Sequence, residues 1–400
     1  MRVALVVQRY GPEVLGGAET LARRVSELLA SSVDVTVLTT CAIDYLSWAD
    51  AYPPGPAKVN GVSVLRFSVP RPRDLFEFEQ ASARAYASPQ DLELGRNWIQ
   101  AQGPNAPGLL DHLREEGSTY DAVAFVTCLY ATTVDGLPLV TERSLLCPTI
   151  HDEPPLRLSV FDDVFAKARL LCFSTPEEQT LAHERFGIPD ARARIVGAAI
   201  DEHRGADPTR FVAETEIRHP YALYHGRLDR SKGVDELVDH HTRYRAVHPD
   251  GLDLVLVGGG EVRLPAADGF HSLGFVSEEL KHDAIAGADV VVCPSPHESL
   301  SFSQLEAWSH GRPTLSNALS PVLVGQSRRA GGGLWYSNAD EYREMLDFFA
   351  RAKPLAETIG AQGQRYVRAK YSRDQARDTW LAALTEVAEA RPARAGRQQQ

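Results

Sequence analysis

The sequence predicts an α/β fold with two domains, and three observations support this prediction. The chain has 400 residues, which is more than one hydrophobic core usually accommodates. Short apolar runs alternate with helical patterns in both halves of the chain, as they do in proteins with parallel sheets. A polar stretch from about 200 to 220 separates the two series. The expected parts are an N-terminal domain at 1–205, a second domain at 206–373, a C-terminal helix at 374–391 and a disordered tail at 392–400.

The N-terminal domain begins with a strand, a Gly-rich turn and a helix. The turn is Gly11–Gly17, and the helix after it carries apolar residues on one face. Because the next apolar run is typical of another strand, these elements form a βαβ unit, whose two strands run parallel. The strands expected here are Val3–Gln8, Asp34–Thr39, Ala122–Val126, Leu145–Ile150 and Leu170–Phe173. Trp48 and Trp98 are interpreted as core residues, with a platform for the acceptor as the alternative.

The second domain shares this architecture without repeating the sequence. Its expected strands are Tyr221–Tyr224, Leu252–Val257 and Asp289–Cys293, and its expected helices are Val234–Tyr244, Ser277–Ala286, Ser303–Ser309 and Glu341–Ala350. Two facing α/β domains bind ligands between them, at the carboxyl ends of their strands. The last helix, expected over Asp374–Ala390, has apolar positions typical of a packed surface.

The composition argues against several classes of protein. A general nucleic-acid binder neutralises phosphates with Lys and Arg, which does not fit a net charge of −11. No apolar run approaches the ~20 residues of a membrane span, and the apolar N-terminal run is too short for a signal peptide. The five Cys are expected to be buried small side chains in a reducing compartment. We expect a cytoplasmic protein, with weak peripheral association with the inner membrane face through Arg23 and Arg24 left open.

Two turns after expected strands could bind phosphates. Arg227 and Lys232 lie between the strand that ends at Tyr224 and the helix that begins near Val234. Two cations beside a helix N-terminus predict a diphosphate site, although two solvated side chains in a polar turn are the alternative. The second turn, Gly258–Gly260, would let a ligand approach the backbone closely, but glycines also form ordinary turns.

Two glutamates eight positions apart, Glu298 and Glu306, follow the apolar run that ends at Cys293. Glu298 lies in the loop after the expected strand, and Glu306 is placed in the first turn of the next helix. The N–H groups of Leu300 and Ser301 precede this helix, where backbone donors lack intrahelical partners. An anion-binding backbone flanked by two carboxylates would suit a sugar, a ribose and the phosphate that links them, although two surface glutamates are the alternative.

These stretches together resemble a family 4 glycosyltransferase with the GT-B fold. The resemblance covers nearly the whole chain and keeps the order and spacing of the family's motifs. The motifs are Gly16-Gly17-Ala18-Glu19, Gly226-Arg227 with Lys232-Gly233, the Gly258–Gly260 turn, Leu273–Val276, and Glu298 and Glu306 followed by Ala307. The GT-B fold implies two facing Rossmann-like domains with a cleft between them and a C-terminal helix that crosses back to the first domain.

The resemblance implies a role for each matching residue. Arg227 and Lys232 would hold the donor diphosphate. Glu306 would bind the ribose hydroxyls, and Glu298 would contact the donor sugar ring. His151, after an N-domain strand, would lie near the transferred sugar. The further donor contacts are expected from Gly16, Gly17, Gly226, Gly258, Gly259, Val276, Leu300, Ser301 and Phe302.

The implied reaction transfers a hexose-type sugar from a UDP- or GDP-sugar to a hydroxyl acceptor with retention of the anomeric configuration. In the front-face route, the leaving phosphate takes the proton of the acceptor. The acceptor would be a sugar, a lipid-linked molecule or a small molecule, in glycan, glycolipid or glycosylated-metabolite biosynthesis. No Asp-x-Asp motif is present, so neither a metal nor another cofactor is expected. Adjacent His240 and His241 would diverge on a helix, and we interpret them as a solvated face rather than a metal site.

The sequence departs from the family in two places, and both leave alternatives open. The family often has Gly-Phe-Gly after the first Glu, where this chain has Ser299-Leu300-Ser301. The family also often has a Gly-Gly-x-x-Glu stretch, which Asn317–Val324 replaces. Both changes bear on contacts with the donor sugar and base. The alternatives are a non-catalytic GT-B subunit that binds a partner, and another GT-B enzyme such as a sugar-nucleotide epimerase. The oligomeric state stays open.

Overall fold

The computed structural model describes residues 1–390, so the tail expected at 392–400 lies outside the described residues. The chain forms two compact units. The first unit contains Met1–Ala199 and the segment from Asp374 onward, and the second contains Ile200–Arg373. The polar stretch near the expected boundary is not a linker, because it includes a helix whose Phe211 packs on Tyr221 of the second unit.

The first unit is built on an eight-stranded sheet with the order β3-β4-β2-β1-β5-β6-β7-β8. Its strands are β1 (Arg2–Val6), β2 (Asp34–Thr40), β3 (Gly55–Val59), β4 (Val62–Phe67), β5 (Ala122–Val126), β6 (Ser144–Cys147), β7 (Leu170–Phe173) and β8 (Ala193–Ile195). All neighbours pair in parallel except β3 and β4, which form an antiparallel hairpin. The five expected strands are therefore confirmed, with ends shifted by a few residues.

Helices cover this sheet and complete its core. They are α1 (Gly17–Leu29), α2 (Leu75–Ala87), α3 (Leu92–Gln102), α4 (Pro107–Glu116), α5 (Ala131–Val134), α6 (Val160–Lys167) and α7 (Pro176–Phe186). Trp48 and Trp98 are fully buried, which confirms their interpretation as core residues. All five Cys are buried and free, as expected.

The second unit has a six-stranded, wholly parallel sheet with the order β11-β10-β9-β12-β13-β14. Its strands are β9 (Tyr221–His225), β10 (Asp253–Val257), β11 (Phe270–Ser272), β12 (Val290–Cys293), β13 (Thr314–Asn317) and β14 (Gly333–Tyr336). Its helices are α8 (Pro208–Thr215), α9 (Val234–Val247), α10 (Glu278–Gly287), α11 (Phe302–Ser309), α12 (Pro321–Ala330), α13 (Ala339–Arg351) and α14 (Lys353–Lys370). The strand order reverses between the neighbours β9 and β12. Ligands of parallel sheets bind beyond the carboxyl ends of the strands at such a point.

The last helix, α15 (Arg373–Glu389), packs on the first unit, as predicted for the C-terminal helix. Its buried Trp380 donates its indole N–H to the Gly197 carbonyl at 3.1 Å. Arg194 pairs with Glu386 at 2.7 Å at the other end of the contact. In the part of the chain that the structure describes, no helix is long and apolar enough to cross a bilayer.

Candidate functional site

The loops after β9 and β12 touch each other at the carboxyl edge of the second sheet. Gly233 has a φ of 70°, and a Cβ there would lie 2.4 Å from the Pro294 carbonyl. Lys232 Nζ donates to Glu298 Oε1 at 2.8 Å, with the two side chains 29% and 17% exposed. The cation assigned to the diphosphate and the carboxylate assigned to the sugar therefore form one ion pair in this structure.

Arg227 occupies the same turn but is more accessible than Lys232. Its guanidinium lies 3.3 Å from the Asp229 carboxylate. Its carbonyl accepts a hydrogen bond of 2.6 Å from the Tyr224 hydroxyl, which fixes the backbone after β9. Asp229 also accepts from the Lys232 N–H at 3.1 Å. The helices α9 and α11 begin at these loops, so the positive ends of two helix dipoles lie at this edge of the sheet.

The glycine turns in this unit have a structural cause that the sequence did not show. The Gly226 N–H donates to the Val257 carbonyl and the Leu228 N–H to the Gly259 carbonyl, both at 2.9 Å. A Cβ on Gly258 would lie 1.9 Å from the Gly226 carbonyl, at a φ of 133°. Glycine at 258 thus permits close packing of two loops. Its predicted contact with a donor stays a prediction, as does that of Val276, which packs in the second unit's core.

The start of α11 carries the departure from the family pattern. Ser301 stands where the family often has glycine and adopts a φ of 68°, a left-handed conformation that is uncommon outside glycine. Its side chain caps the helix by accepting from the Gln304 N–H at 3.4 Å. The buried Leu300 accepts a hydrogen bond from Gln326 through its carbonyl, and Phe302 is the first helical residue. Serine therefore keeps the turn that glycine would allow, at the cost of backbone strain.

Glu306 lies in the middle of α11, so its predicted place in the first turn is wrong. The helix begins at Phe302, and the first turn buries Gln304 instead. Glu306 is 5% exposed, and its Oε2 lies 3.3 Å from Lys281 Nζ and 4.0 Å from His225 Nδ1. No sequence pattern singles out Lys281, because nothing in the spacing of α10 shows that it faces a carboxylate on another helix.

Three further histidines surround the same region of the second unit. His282 Nδ1 lies 2.9 Å from His310 Nε2, and the rings of His203 and His282 stack with centroids 3.4 Å apart. Burial lowers the pKa of His225 and of His310 to about 4, and the nearby Glu306 carboxylate opposes this effect in both cases. The imidazoles of His225 and His310 are therefore neutral at pH 7.

No metal cluster accompanies these histidines: among residues 1–390, no group of three or more His, Cys, Asp and Glu side chains could hold an ion. The interpretation of His240 and His241 as a solvated face is wrong, because both are buried. His241 lies 3.0 Å from both the Tyr342 hydroxyl and the Leu252 carbonyl, so both of its ring nitrogens have partners in the core. The helix α9 is therefore covered on a side that its sequence pattern assigned to solvent.

In the first unit, the Gly16-Gly17 turn encloses a buried ion pair. Glu19 Oε1 accepts from Gln8 Nε2 at 2.8 Å and from Arg9 Nε at 2.9 Å. A Cβ on Gly16 would lie 2.1 Å from Glu19 Oε2, so a larger residue there would have to displace this carboxylate. A Cβ on Gly17 would meet no atom within 4 Å. No sequence motif singles out Arg9, which follows β1 closely.

His151 lies in the loop after β6, where its Nδ1 contacts the Glu153 carboxylate. The backbone of this loop is held by Glu178, which is 1% exposed. Glu178 accepts from the Ile150 N–H at 2.9 Å and from the Ser174 N–H at 2.7 Å. Burial raises the pKa of Glu178 to about 8. The Thr-x-x-Glu spacing from Thr175 was a signal for a helix start, but not for this contact.

The second unit is similar in sequence to known proteins. Residues 219–347 match the family model described as "Glycosyl transferases group 1". The D-inositol 3-phosphate glycosyltransferase from Geodermatophilus obscurus is 26% identical to the chain, over 59% of the chain and 57% of that protein. The D-inositol 3-phosphate glycosyltransferase from Xylanimonas cellulosilytica is also 26% identical, over 63% of the chain and 65% of that protein. The chain thus spans less than two thirds of the length of these relatives.

Solved structures extend the likeness over nearly the whole chain. Anabaena HepE in complex with UDP has a TM-score of 0.70 at 14% identity, with 96% of this chain and 100% of that chain covered. Sucrose-phosphate synthase from Thermosynechococcus elongatus has a TM-score of 0.71 at 17% identity, with 98% and 100% covered. At these identities the likeness concerns the fold. It confirms the predicted GT-B fold class, with two Rossmann-like α/β domains.

Proposed function

We propose that the protein is a retaining glycosyltransferase of family 4, which transfers a hexose-type sugar from a UDP- or GDP-sugar to a hydroxyl acceptor. One observation carries the proposal. Arg227, Lys232, Glu298 and Glu306 all lie in the loops and helices that follow β9 and β12, where the strand order of the second unit reverses. The match of residues 219–347 to group 1 glycosyl transferases covers all four positions and supports the same interpretation.

The donor would be held by charge and by carboxylate hydrogen bonds. Arg227 and Lys232 bind the diphosphate, and Glu298 accepts from hydroxyls of the sugar ring while it keeps Lys232 in place. Glu306 accepts from the ribose hydroxyls, beside Lys281. Breaking the glycosidic bond places negative charge on the leaving phosphate, and prepositioned cations stabilise that charge more in the transition state than in the ground state.

The first unit would supply the acceptor side. We assign His151 to the transferred sugar and the Gly16-Gly17 turn to the donor phosphates or the acceptor, on the basis of the family resemblance. In the front-face route, the leaving phosphate oxygen takes the acceptor's proton as the new bond forms. The reaction needs no metal in this proposal. Weak association with a membrane surface also stays a prediction. Arg23 and Arg24, through which it is expected, both donate to backbone carbonyls of their own unit.

Turnover of sugar nucleotides tests the proposal. Release of UDP or GDP from a panel of donors is measured with the wild type and with Lys232→Ala, and the anomeric configuration of the product is read by NMR. We expect acceptor-dependent release that Lys232→Ala lowers by about 100-fold or more, since charge-assisted hydrogen bonds are lost in the transition state. A product of inverted configuration contradicts the retaining mechanism.

The same assay separates the alternatives. A sugar-nucleotide epimerase changes the sugar on the nucleotide without transferring it, and a non-catalytic subunit binds the nucleotide without turnover. Nucleotide binding with no product from any donor and acceptor supports the non-catalytic subunit.

A further inference from the structure

The first unit contains a cavity of about 710 Å³ between α2 and α3. The loop before α2 closes one side, and Trp48 contributes to the wall. None of the residues that line this cavity is assigned to the donor by the proposed function. A cavity of this size accommodates a small polar molecule of the size of a sugar.

Three guanidinium groups line this cavity. Arg73 is locked in the wall, since its Nη1 donates to Gln102 Oε1 at 2.5 Å and its Nε to the Leu46 carbonyl at 2.8 Å. Arg71 pairs with Glu77 at the exposed rim. Arg84, on the last turn of α2, has no ion-pair partner among residues 1–390. The lining contains three arginines and two carboxylates, so this cavity is locally cationic, whereas the whole chain has a net charge of −11.

The remaining lining residues suit a hydroxylated ring. Amide side chains supply both donors and acceptors: Gln80, Asn97, Gln100 and Asn105. Phe76 is 71% exposed and lines the cavity, so it offers an aromatic face to the apolar side of a ring. Guanidinium groups bind carboxylates and phosphates through paired hydrogen bonds. The cavity thus combines recognition of hydroxyls with recognition of an anion.

Trp48 connects this cavity to the Gly16 turn. The Arg73 guanidinium lies 5.1 Å from the centre of the Trp48 ring, and the Arg9 guanidinium lies 5.8 Å from it. Arg9 in turn holds Glu19 at the Gly16-Gly17 turn, which the proposed function assigns to the donor phosphates or the acceptor. The cavity and that turn are therefore neighbours within one unit.

We propose that this cavity binds the acceptor, and that the acceptor is a hydroxylated molecule carrying a phosphate or carboxylate group. The inference rests on the proposed function and adds the chemical class of the acceptor. It also gives Arg71 and Arg84 a role as specificity-determining residues for the anionic group.

Calorimetric titration of the full chain tests the inference with matched probes. Glucose 6-phosphate and glucuronate carry the anionic group, and glucose is the neutral control. We expect at least one anionic probe to bind about ten-fold or more tightly than glucose, and the Arg71→Gln/Arg84→Gln variant to lose that difference. Arg96→Gln is the matched control, because Arg96 is an exposed arginine of α3 that does not line the cavity. The two anionic probes show whether phosphate or carboxylate is preferred.

Three results would overturn the inference: equal affinity for anionic and neutral probes, binding of none of them, or an equal loss in Arg96→Gln. Titration with UDP and GDP on the same samples separates this failure from failure of the donor site. If a nucleotide binds and the anionic probes do not, the inference alone fails. If the anionic probes bind and no nucleotide does, the acceptor role is overturned together with the proposed function.

Discussion

Single side chains in the second unit already have ion-pair partners, and a bound donor would have to share these side chains with those partners. Lys232 and Glu298 pair at 2.8 Å across two loops, and Glu306 lies beside Lys281 at 3.3 Å. Each pair is largely shielded from water, so removal of one partner leaves a poorly solvated charge. Charge pairing of this kind positions the side chains before any ligand arrives.

The Lys232–Glu298 pair gives the first prediction. Lys232→Met leaves the Glu298 carboxylate without its cation, and we expect the free energy of unfolding to fall by about 1–3 kcal/mol. Urea denaturation measures the change. The double variant Lys232→Met/Glu298→Gln should recover part of the loss, because no unpaired charge remains. If Lys232→Met unfolds at the same urea concentration as the wild type, the pair does not stabilise the fold.

Ser301 gives the second prediction, since its φ of 68° is strained for serine. Ser301→Gly relieves the strain but removes the cap on Gln304, and we expect the two effects to leave stability within about 1 kcal/mol of the wild type. Ser301→Val adds a β-branched side chain at positive φ, and we expect a loss of about 2 kcal/mol or more. Equal melting temperatures for the Gly and Val variants contradict this account of the turn.

At the scale of elements, the edge of the second sheet depends on two loops that pack backbone against backbone. Gly226–Leu228 and Gly258–Gly260 are joined by hydrogen bonds, and a bridge links Leu228 to Gly260. This contact fixes where Arg227 emerges after β9. The glycines thus serve the site through the geometry of the loops.

The third prediction follows from that contact. Gly258→Ala places a methyl group 1.9 Å from the Gly226 carbonyl at a φ of 133°, so the two loops must separate. We expect a loss of about 2–4 kcal/mol of unfolding free energy, measured by urea denaturation. Gly205→Ala is the control, because no atom lies within 4 Å of its Cβ position. A Gly258→Ala variant as stable as the control contradicts the packing described here.

The elements differ in how well the sequence predicts them. Continuous apolar runs predicted the buried parallel strands, since such strands are covered on both faces. The hairpin of β3 and β4 was missed, although Asn60-Gly61 between them is a strong hairpin signal and both residues adopt positive φ. That hairpin is partly exposed and contains Pro56, so its apolar pattern is weak.

Only part of the candidate site could be predicted from the sequence. The resemblance singled out Arg227, Lys232, Glu298 and Glu306, and the structure gathers them in one unit. The partners Lys281 and Glu178 were not predictable, because each reaches its contact from a helix whose packing no local pattern encodes. Only the tertiary structure shows which groups these two side chains contact.

At the scale of the whole molecule, the two units contain buried titratable groups whose pKa values are shifted in opposite directions. The second unit buries neutral histidines: burial lowers the pKa of His225 and His310 to about 4 and that of His241 to about 3. The first unit buries Glu178, whose pKa rises to about 8. The stability of the two units should therefore respond differently to pH.

The fourth prediction gives the signs. Above about pH 6.5 these histidines are neutral in both the folded and the unfolded state, so their contribution to the stability of the second unit is fully present. This contribution is lost as the pH falls toward 4, by up to about 1.4 kcal/mol per pH unit for each histidine. The Glu178 contribution is fully present below about pH 4.5 and is lost as the pH rises through about 8. Urea unfolding at pH 5, 7 and 9, followed by peptide-resolved mass spectrometry, reads the units separately. Glu178→Gln should flatten the alkaline loss in the first unit, and a second unit equally stable at pH 5 and 7 contradicts the account.

Thermal-shift binding of UDP, GDP and ADP tests the nucleoside-diphosphate site that we propose for the second unit. We expect UDP or GDP to raise the melting temperature of the wild type, by an amount equivalent to about 2.7 kcal/mol at 100 times the Kd. Lys232→Met and Glu306→Gln should abolish the shift, while Arg96→Gln keeps it. If no diphosphate shifts the wild type, or if both site variants respond as the wild type does, the donor site assigned here is wrong.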